Sequence, residues 1–138
     1  MAEISKAFKI LLLGIAIVSL YYATMYLFLT DFYYAGFGPL HPYYDPWATR
    51  VTGVTMLCFF IFGIWAIKVA DWEKIRLYTL FGIGWLIISM IEGNFVWFDT
   101  EVKVSPGVIT NRILNLTVGI VFIVLLLYFY LQEEKKLK

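Results

Sequence analysis

Charged side chains are scarce in this sequence of 138 residues: 15% are Asp, Glu, Lys or Arg, whereas 62% are hydrophobic. A soluble domain averages about 25% charged and about 45–50% apolar residues. The composition therefore excludes an ordinary soluble domain and favours an integral membrane protein. The net charge of +1 provides no broad basic surface, so we expect no nucleic-acid partner.

Cysteine and histidine are nearly absent, with Cys58 and His41 the single examples of each. One cysteine forms no intrachain disulfide, and the sequence has no Cys/His spacing of the kind that binds zinc. A single histidine also excludes a haem held by two histidines and leaves no convincing Ser-His-Asp set. We therefore predict no metal, no cofactor and no catalytic residue, and do not expect the chain to be an enzyme on its own.

Long apolar runs dominate what is present. Four runs, 10–30, 51–67, 77–98 and 113–132, contain 21, 17, 22 and 20 residues. About 20 apolar residues suffice to cross a bilayer as a helix. We predict an all-α integral membrane fold, an up-down bundle of four transmembrane helices in one domain, 1–138. The predicted helices are about 8–30, 48–69, 75–98 and 110–132, with Thr110 or Asn111 capping the last.

The lysine and arginine residues fall unevenly on the two sides of this bundle. Eight lie on the side that carries both termini: Lys6, Lys9, Lys68, Lys74, Arg76, Lys135, Lys136 and Lys138. Three lie on the other side: Arg50, Lys103 and Arg112. Lys and Arg are enriched in cytoplasmic loops, so both termini are predicted to be cytoplasmic. The expected location is the plasma membrane of a bacterium or archaeon.

The first outer loop, 31–47, contains seven aromatic residues, three prolines and two glycines. Tyrosine and tryptophan favour the membrane–water boundary, so the plain interpretation is an interfacial anchor. A docking surface for a partner, or an entrance to a lipid-facing cavity, is the alternative. The candidate interface residues are Tyr33, Tyr34, His41, Tyr43, Tyr44 and Trp47.

A second candidate site consists of polar residues that interrupt the apolar runs at similar depth. Its members are Glu92, Asn94, Arg50, Arg112 and Asn115. A carboxylate at the centre of a membrane helix costs roughly 2.5–3.5 kcal/mol on insertion scales, so Glu92 is expected to face protein. Arg112 and Asn115 share one helix face by their i, i+3 spacing. Two interpretations stay open: an ion-pair network that holds the helices together, and a ligand or proton site.

The segment from Arg50 to Trp85 resembles small four-helix membrane families of bacteria and archaea that are broadly DoxX-like. The resemblance is carried by Arg50 and Gly53 at the start of the second helix and by Gly63 within it. A short charged turn with Lys74 and Arg76 follows. Some members of such families are accessory subunits of membrane oxidoreductases, and the resemblance implies a similar role here.

Small size, the absence of a soluble domain and the aromatic loop favour a non-catalytic subunit or scaffold of a larger membrane complex. Examples are an oxidoreductase, a monooxygenase or a respiratory assembly. The expected partners are the lipid bilayer and other membrane subunits. The alternative is a binder or transporter of a small molecule or lipid that uses the Glu92 cluster beneath the aromatic loop. A third reading, an enzyme acting on a lipid through Glu92, lacks a second catalytic group.

Overall fold

The chain is almost entirely helical in the residues that a computed structural model describes, 3–35, 46–95 and 106–137. The elements are α1 (Lys6–Phe28), α2 (Thr30–Ala35), α3 (Pro46–Val69), α4 (Trp72–Phe95), α5 (Pro106–Glu134) and a 3-10 turn (Lys135–Leu137). No β-strand occurs within these ranges, which confirms the predicted all-helical fold. Four of the helices, α1, α3, α4 and α5, are long and apolar enough to cross a membrane.

The helices begin earlier than the apolar runs indicated, because capping and proline residues start them. Ser5 caps α1 by accepting the Phe8 N–H at 3.3 Å. Pro46 and Pro106 open α3 and α5, positions at which the missing proline N–H costs nothing. Thr110, expected to be a cap, instead lies inside α5 and donates to the Pro106 carbonyl at 3.0 Å.

Part of the predicted outer loop is helical. After a break at Leu29, residues Thr30–Ala35 form α2, and the Tyr33 N–H donates to the Leu29 carbonyl at 2.8 Å. At the other end of the predicted loop, Pro46 and Trp47 already belong to α3. The aromatic, glycine and proline content of this stretch predicted a loop. Short-range bonds, such as those from the Tyr33 N–H to Leu29 and from the Thr30 hydroxyl to Tyr26, stabilise the helix instead.

Neighbouring helices run antiparallel, as an up-down bundle requires. A Cβ atom placed on Gly53, early in α3, would meet Leu27 Cγ at 2.9 Å, late in α1. Gly63, later in α3, faces Ala16 at 3.2 Å by the same measure. On the other pair of helices, Gly119 of α5 lies against Met90 of α4. Small residues thus allow the close approach on which membrane helices depend for association.

The main buried core lies at the end of the bundle that carries both termini. Phe8 and Trp72 are fully buried, and their ring centroids are 5.9 Å apart. Phe129 stacks on Phe8 at 5.5 Å, and Tyr130 meets Trp72 edge-on at 5.2 Å. Three helices, α1, α4 and α5, are therefore joined here by aromatic contacts.

Hydrogen bonds close the same end of the bundle. The Ile4 N–H donates to the Ala70 carbonyl at 3.0 Å, which ties the N-terminal segment to the turn between α3 and α4. The Ser5 N–H donates to Glu133 Oε1 at 3.0 Å, which ties it to α5. We call this group the terminal cluster: Glu3, Ile4, Ser5, Ala70, Trp72, Glu133, Glu134 and Lys136. Both termini therefore lie at one end, as predicted.

Charges in the terminal cluster are paired. Glu133 has an exposed fraction of 0% and forms an ion pair with Lys136, which also donates to the Glu3 carbonyl at 3.3 Å. The Trp72 indole N–H donates to Glu134 Oε1 at 3.0 Å. At the solvent side, the hydrogen bond from Lys9, 2.7 Å long, and its charge lower the pKa of the Glu3 carboxyl.

Replacing Glu133 with Ala should destabilise the bundle. The Ser5 N–H and the Lys136 ammonium would lose their buried acceptor, and an unsatisfied buried polar group costs about 1–3 kcal/mol. The matched control is Glu73→Ala, since Glu73 is an exposed acid on α4. It should cost no more than about 1 kcal/mol, through the dipole of its helix. Thermal unfolding in detergent measures both, and equal midpoints for the two variants would contradict the role of Glu133.

Candidate functional site

A cavity of about 290 Å³ lies between the four long helices, away from the terminal cluster. A second cavity of about 50 Å³ adjoins it, and Ser19, Met56 and Trp85 line both. Most of the lining is aliphatic or aromatic. The polar residues of the larger cavity are Ser19, Tyr22, Tyr26, Thr52, Trp85, Ser89, Arg112 and Asn115. An apolar cavity with a few polar side chains is the usual form of a small-molecule site.

A hydrogen bond joins two of the helices that line the cavity. The Tyr22 hydroxyl on α1 donates to Asn115 Oδ1 on α5. Asn115 lies in the middle of the N-terminal half of α5, with Arg112 one turn nearer to the helix start. Since its carbonyl oxygen is engaged by Tyr22, the amide NH₂ of Asn115 retains its two donors.

Arg112 is half-buried and lines the cavity. It forms neither an ion pair nor a hydrogen bond with any residue that the structure describes. A guanidinium group carries five donors and no acceptor, and remains charged at all physiological pH values. Arg112 is therefore a positive charge at the cavity, and no described residue occupies its donors.

Serine hydroxyls at the cavity differ from the threonine hydroxyls elsewhere on the helices. Thr52, for example, donates to the Ala48 carbonyl four residues earlier at 3.0 Å, and Thr117 donates to Ile113 at 2.8 Å. Ser19 is 6% exposed, yet within the described ranges it has no hydrogen-bond partner. Ser19 lines the cavity, so its hydroxyl can bond to a polar occupant.

Trp85 lines both cavities. Its ring packs against Phe59 with centroids 5.9 Å apart, and its buried N–H finds no acceptor among the described residues. Buried indole N–H groups usually have a partner. Trp85 thus adds another donor without an acceptor to the same region.

The predicted polar cluster is brought together only in part. Arg112 and Asn115 both line the cavity, whereas Arg50 is exposed near the start of α3 and does not line it. Glu92 and Asn94 lie on α4, and their side chains are outside what the structure describes. The predicted ion pair of Glu92 with an arginine therefore stays a prediction.

The aromatic residues of the predicted outer loop have separate positions. Tyr33 on α2 packs edge-on against Tyr26 of α1, with ring centroids 5.1 Å apart. Trp47, at the start of α3, is 76% exposed. Tyr34 belongs to α2, and its side chain is outside the description. The remaining three candidates, His41, Tyr43 and Tyr44, also lie outside the described residues.

The sequence analysis did not identify several residues of the site. Ser19 and Tyr22 fall within the first apolar run, where a serine indicates close helix packing and a tyrosine is an ordinary aromatic residue. Their i, i+3 spacing nevertheless places them on one helix face. Ser89 and Trp85 are four residues apart on α4, which is also one face. In the terminal cluster, Glu133 and Lys136 show the i, i+3 spacing of a helical ion pair. Spacing of polar residues inside apolar runs was the usable signal.

The donor set determines which chemistry the cavity favours. Its described lining contains no Asp, Glu, His or Cys side chain, and no group of three such residues suited to a metal ion occurs in the described parts of the chain. Side chains of these types supply most general bases and nucleophiles. The described lining thus presents hydrogen-bond donors to any group that enters the cavity.

No protein-family model, curated protein or solved structure matches this chain. The resemblance to DoxX-like families therefore stays a prediction. Of the residues that carry it, Gly53 and Gly63 have a structural explanation in the close packing of α3 against α1. The cavity and its side chains are consequently the basis for a functional proposal.

Replacing Tyr22 with Phe should weaken the contact between α1 and α5. The lost hydrogen bond to Asn115 is worth about 0.5–1.5 kcal/mol. Tyr21→Phe is the matched control, because Tyr21 is the next residue on the same helix and is 52% exposed. Thermal unfolding should place Tyr22→Phe below the parent protein and leave Tyr21→Phe unchanged. Identical midpoints for the two variants would remove the structural role of this hydrogen bond.

Proposed function

We propose that the chain is a multi-pass protein of the plasma membrane of a bacterium or archaeon, with both termini in the cytoplasm. Four helices of suitable length and apolarity support the insertion. The orientation is supported by the eight Lys and Arg residues on the side of the termini, against three on the other side. The resemblance to DoxX-like families supports the bacterial or archaeal source.

Cysteine labelling in intact cells tests this orientation. In a Cys58→Ala background, a cysteine at Gly36 should react with a membrane-impermeant thiol reagent, because the outer side is accessible. A cysteine at Leu137, which is at the end of the terminal cluster, should react only after the membrane is permeabilised. Labelling of the Leu137 variant in intact cells would contradict the proposed orientation.

Within the bundle, we propose that the chain binds a small amphipathic molecule in the cavity. The observation that carries this proposal is the combination, at one place, of open space and donors that have no partner among the described residues. Lipid-embedded helices normally satisfy polar groups internally, since no water is available to them in the hydrocarbon region. A bound molecule with a polar group and an apolar body would supply the missing partners and fill the space.

The role of a subunit or scaffold in a larger membrane complex stays a prediction. The exposed aromatic residues Phe28, Phe32 and Trp47 are 79%, 72% and 76% exposed. Aromatic residues are enriched at the membrane–water boundary with or without a partner, so this surface favours neither reading. Mass spectrometry of proteins that co-purify in mild detergent tests it, and purification of the chain alone would contradict it.

Filling the cavity should remove the bound molecule. Val118→Phe adds bulk at a half-buried position of the cavity lining, whereas Thr117→Phe adds the same bulk at the next, exposed position of α5. Native mass spectrometry of protein purified from its own membrane should show a retained small molecule on the parent chain and on Thr117→Phe. The Val118→Phe variant should lose it while keeping its cooperative thermal unfolding.

Two results would contradict the binding proposal. One is a parent protein that carries no retained molecule under any mild-detergent condition. The other is equal retention by Val118→Phe and Thr117→Phe, which would place the molecule on the outer surface of the helices.

A further inference from the structure

We propose that the occupant of the cavity is an amphipathic anion, with a carboxylate or phosphate head at Arg112 and Asn115 and a single apolar chain. This inference rests on the proposed function, because it names the chemical class of the molecule bound there. It depends on four features of the cavity: a charge that no described residue pairs, an oriented amide, further donors, and the size and apolarity of the remaining space.

The charge without a described partner is that of Arg112. Among the described cavity-lining residues it is the one with a formal charge, and the described residues offer it no counter-ion. A charged side chain within a membrane helix is costly unless it is paired or reaches the interface. An anionic oxygen head would pair with it through charge-assisted hydrogen bonds, which are roughly twice as strong as neutral ones.

The oriented amide is that of Asn115. Asn115 follows Arg112 by three residues, so the two side chains lie on one face of α5. Tyr22 donates to the Asn115 carbonyl oxygen, and the amide therefore presents donors rather than an acceptor. A head group that contacts Arg112 thus meets a second set of donors one helical turn away, which suits an oxygen anion and disfavours an ammonium group.

Further donors occur deeper in the bundle. The Trp85 indole can only donate, and its N–H has no acceptor in the described part of the chain. The Ser19 hydroxyl lines both cavities and can donate or accept. No carboxylate is present in the described lining to repel an anion. The balance of hydrogen-bonding groups therefore favours a molecule that accepts.

The remaining space is apolar and modest in size. Below Asn115 the lining is formed by residues such as Leu86, Val118 and Phe122. Phe122 lies ten residues after Arg112, which is about 15 Å along the helix at about 1.5 Å per residue. Small-molecule sites are commonly about 300–1,000 Å³, and a cavity of about 290 Å³ is at the lower end of this range. It therefore suits one apolar chain rather than a two-chain lipid.

Equilibrium binding to the full chain in phosphatidylcholine nanodiscs tests this inference. Four radiolabelled probes share one alkyl chain: dodecanoate, dodecyl phosphate, dodecanol and dodecylamine. Empty nanodiscs provide the background of partition into lipid. Saturable binding of one molecule per chain is expected for the anions, at least about ten-fold tighter than for the alcohol or the amine. The preferred anion distinguishes a carboxylate head from a phosphate head.

Arg112→Gln provides the matched variant. It should weaken binding of the preferred anion by about ten- to a hundred-fold and leave the weak binding of dodecanol unchanged. Folding should be preserved, since Arg112 has no protein partner within the described ranges. Arg112→Lys should restore part of the affinity, and Arg50→Gln should bind as the parent does, because Arg50 is exposed and does not line the cavity.

The outcomes separate this inference from the function on which it rests. Equal affinity for dodecanol and the anions, or unchanged anion binding by Arg112→Gln, would overturn the assignment of the head group while the binding function stands. Such a result would mean that Arg112 extends to the membrane surface. Absence of saturable binding for all four probes, together with retention of no native molecule by the parent protein, would overturn both.

Discussion

The structure depends on one constraint: polar groups surrounded by lipid need partners from the protein itself. At the terminal end this need is met except at Asp71, whose buried Oδ1 has no partner among the described residues. The buried carboxylate of Glu133 accepts from Ser5 and pairs with Lys136, and the Trp72 indole donates to Glu134. The bonds from Ser5 and Trp72 join segments far apart in the chain, whereas Lys136 lies three residues after Glu133. The terminal cluster therefore holds α1, α4 and α5 in register and makes a closed base for the bundle.

Around the cavity, polar groups are only partly satisfied by other described residues. Tyr22 and Asn115 satisfy one another, but Ser19, Trp85 and Arg112 find no partner among the described residues. Tight packing of α3 against α1 through Gly53 sets these helices close together and leaves the open space toward α4 and α5. The closed base and the cavity lined by donors support the proposal that the chain binds a small molecule.

Much of the fold follows from the sequence, because four apolar runs of sufficient length leave few other choices. The helix ends do not, since Ser5, Pro46 and Pro106 act through local capping rather than hydropathy. Arg112 and Asn115 were recognisable as neighbours from their spacing, but Tyr22 was not recognisable as their partner. Lateral contact between helices depends on the rotation of each helix, which packing at glycine positions decides.

Photo-crosslinking tests the central claim, that the cavity holds an amphipathic molecule, most directly. A dodecanoate with a diazirine at its chain end would be bound to the chain in phosphatidylcholine nanodiscs and activated, and the adducts located by tandem mass spectrometry. The account predicts adducts on cavity residues such as Leu86 and Phe122, suppressed by excess unlabelled dodecanoate. Adducts confined to exposed residues such as Ile120 and Val124, and insensitive to the competitor, would contradict it.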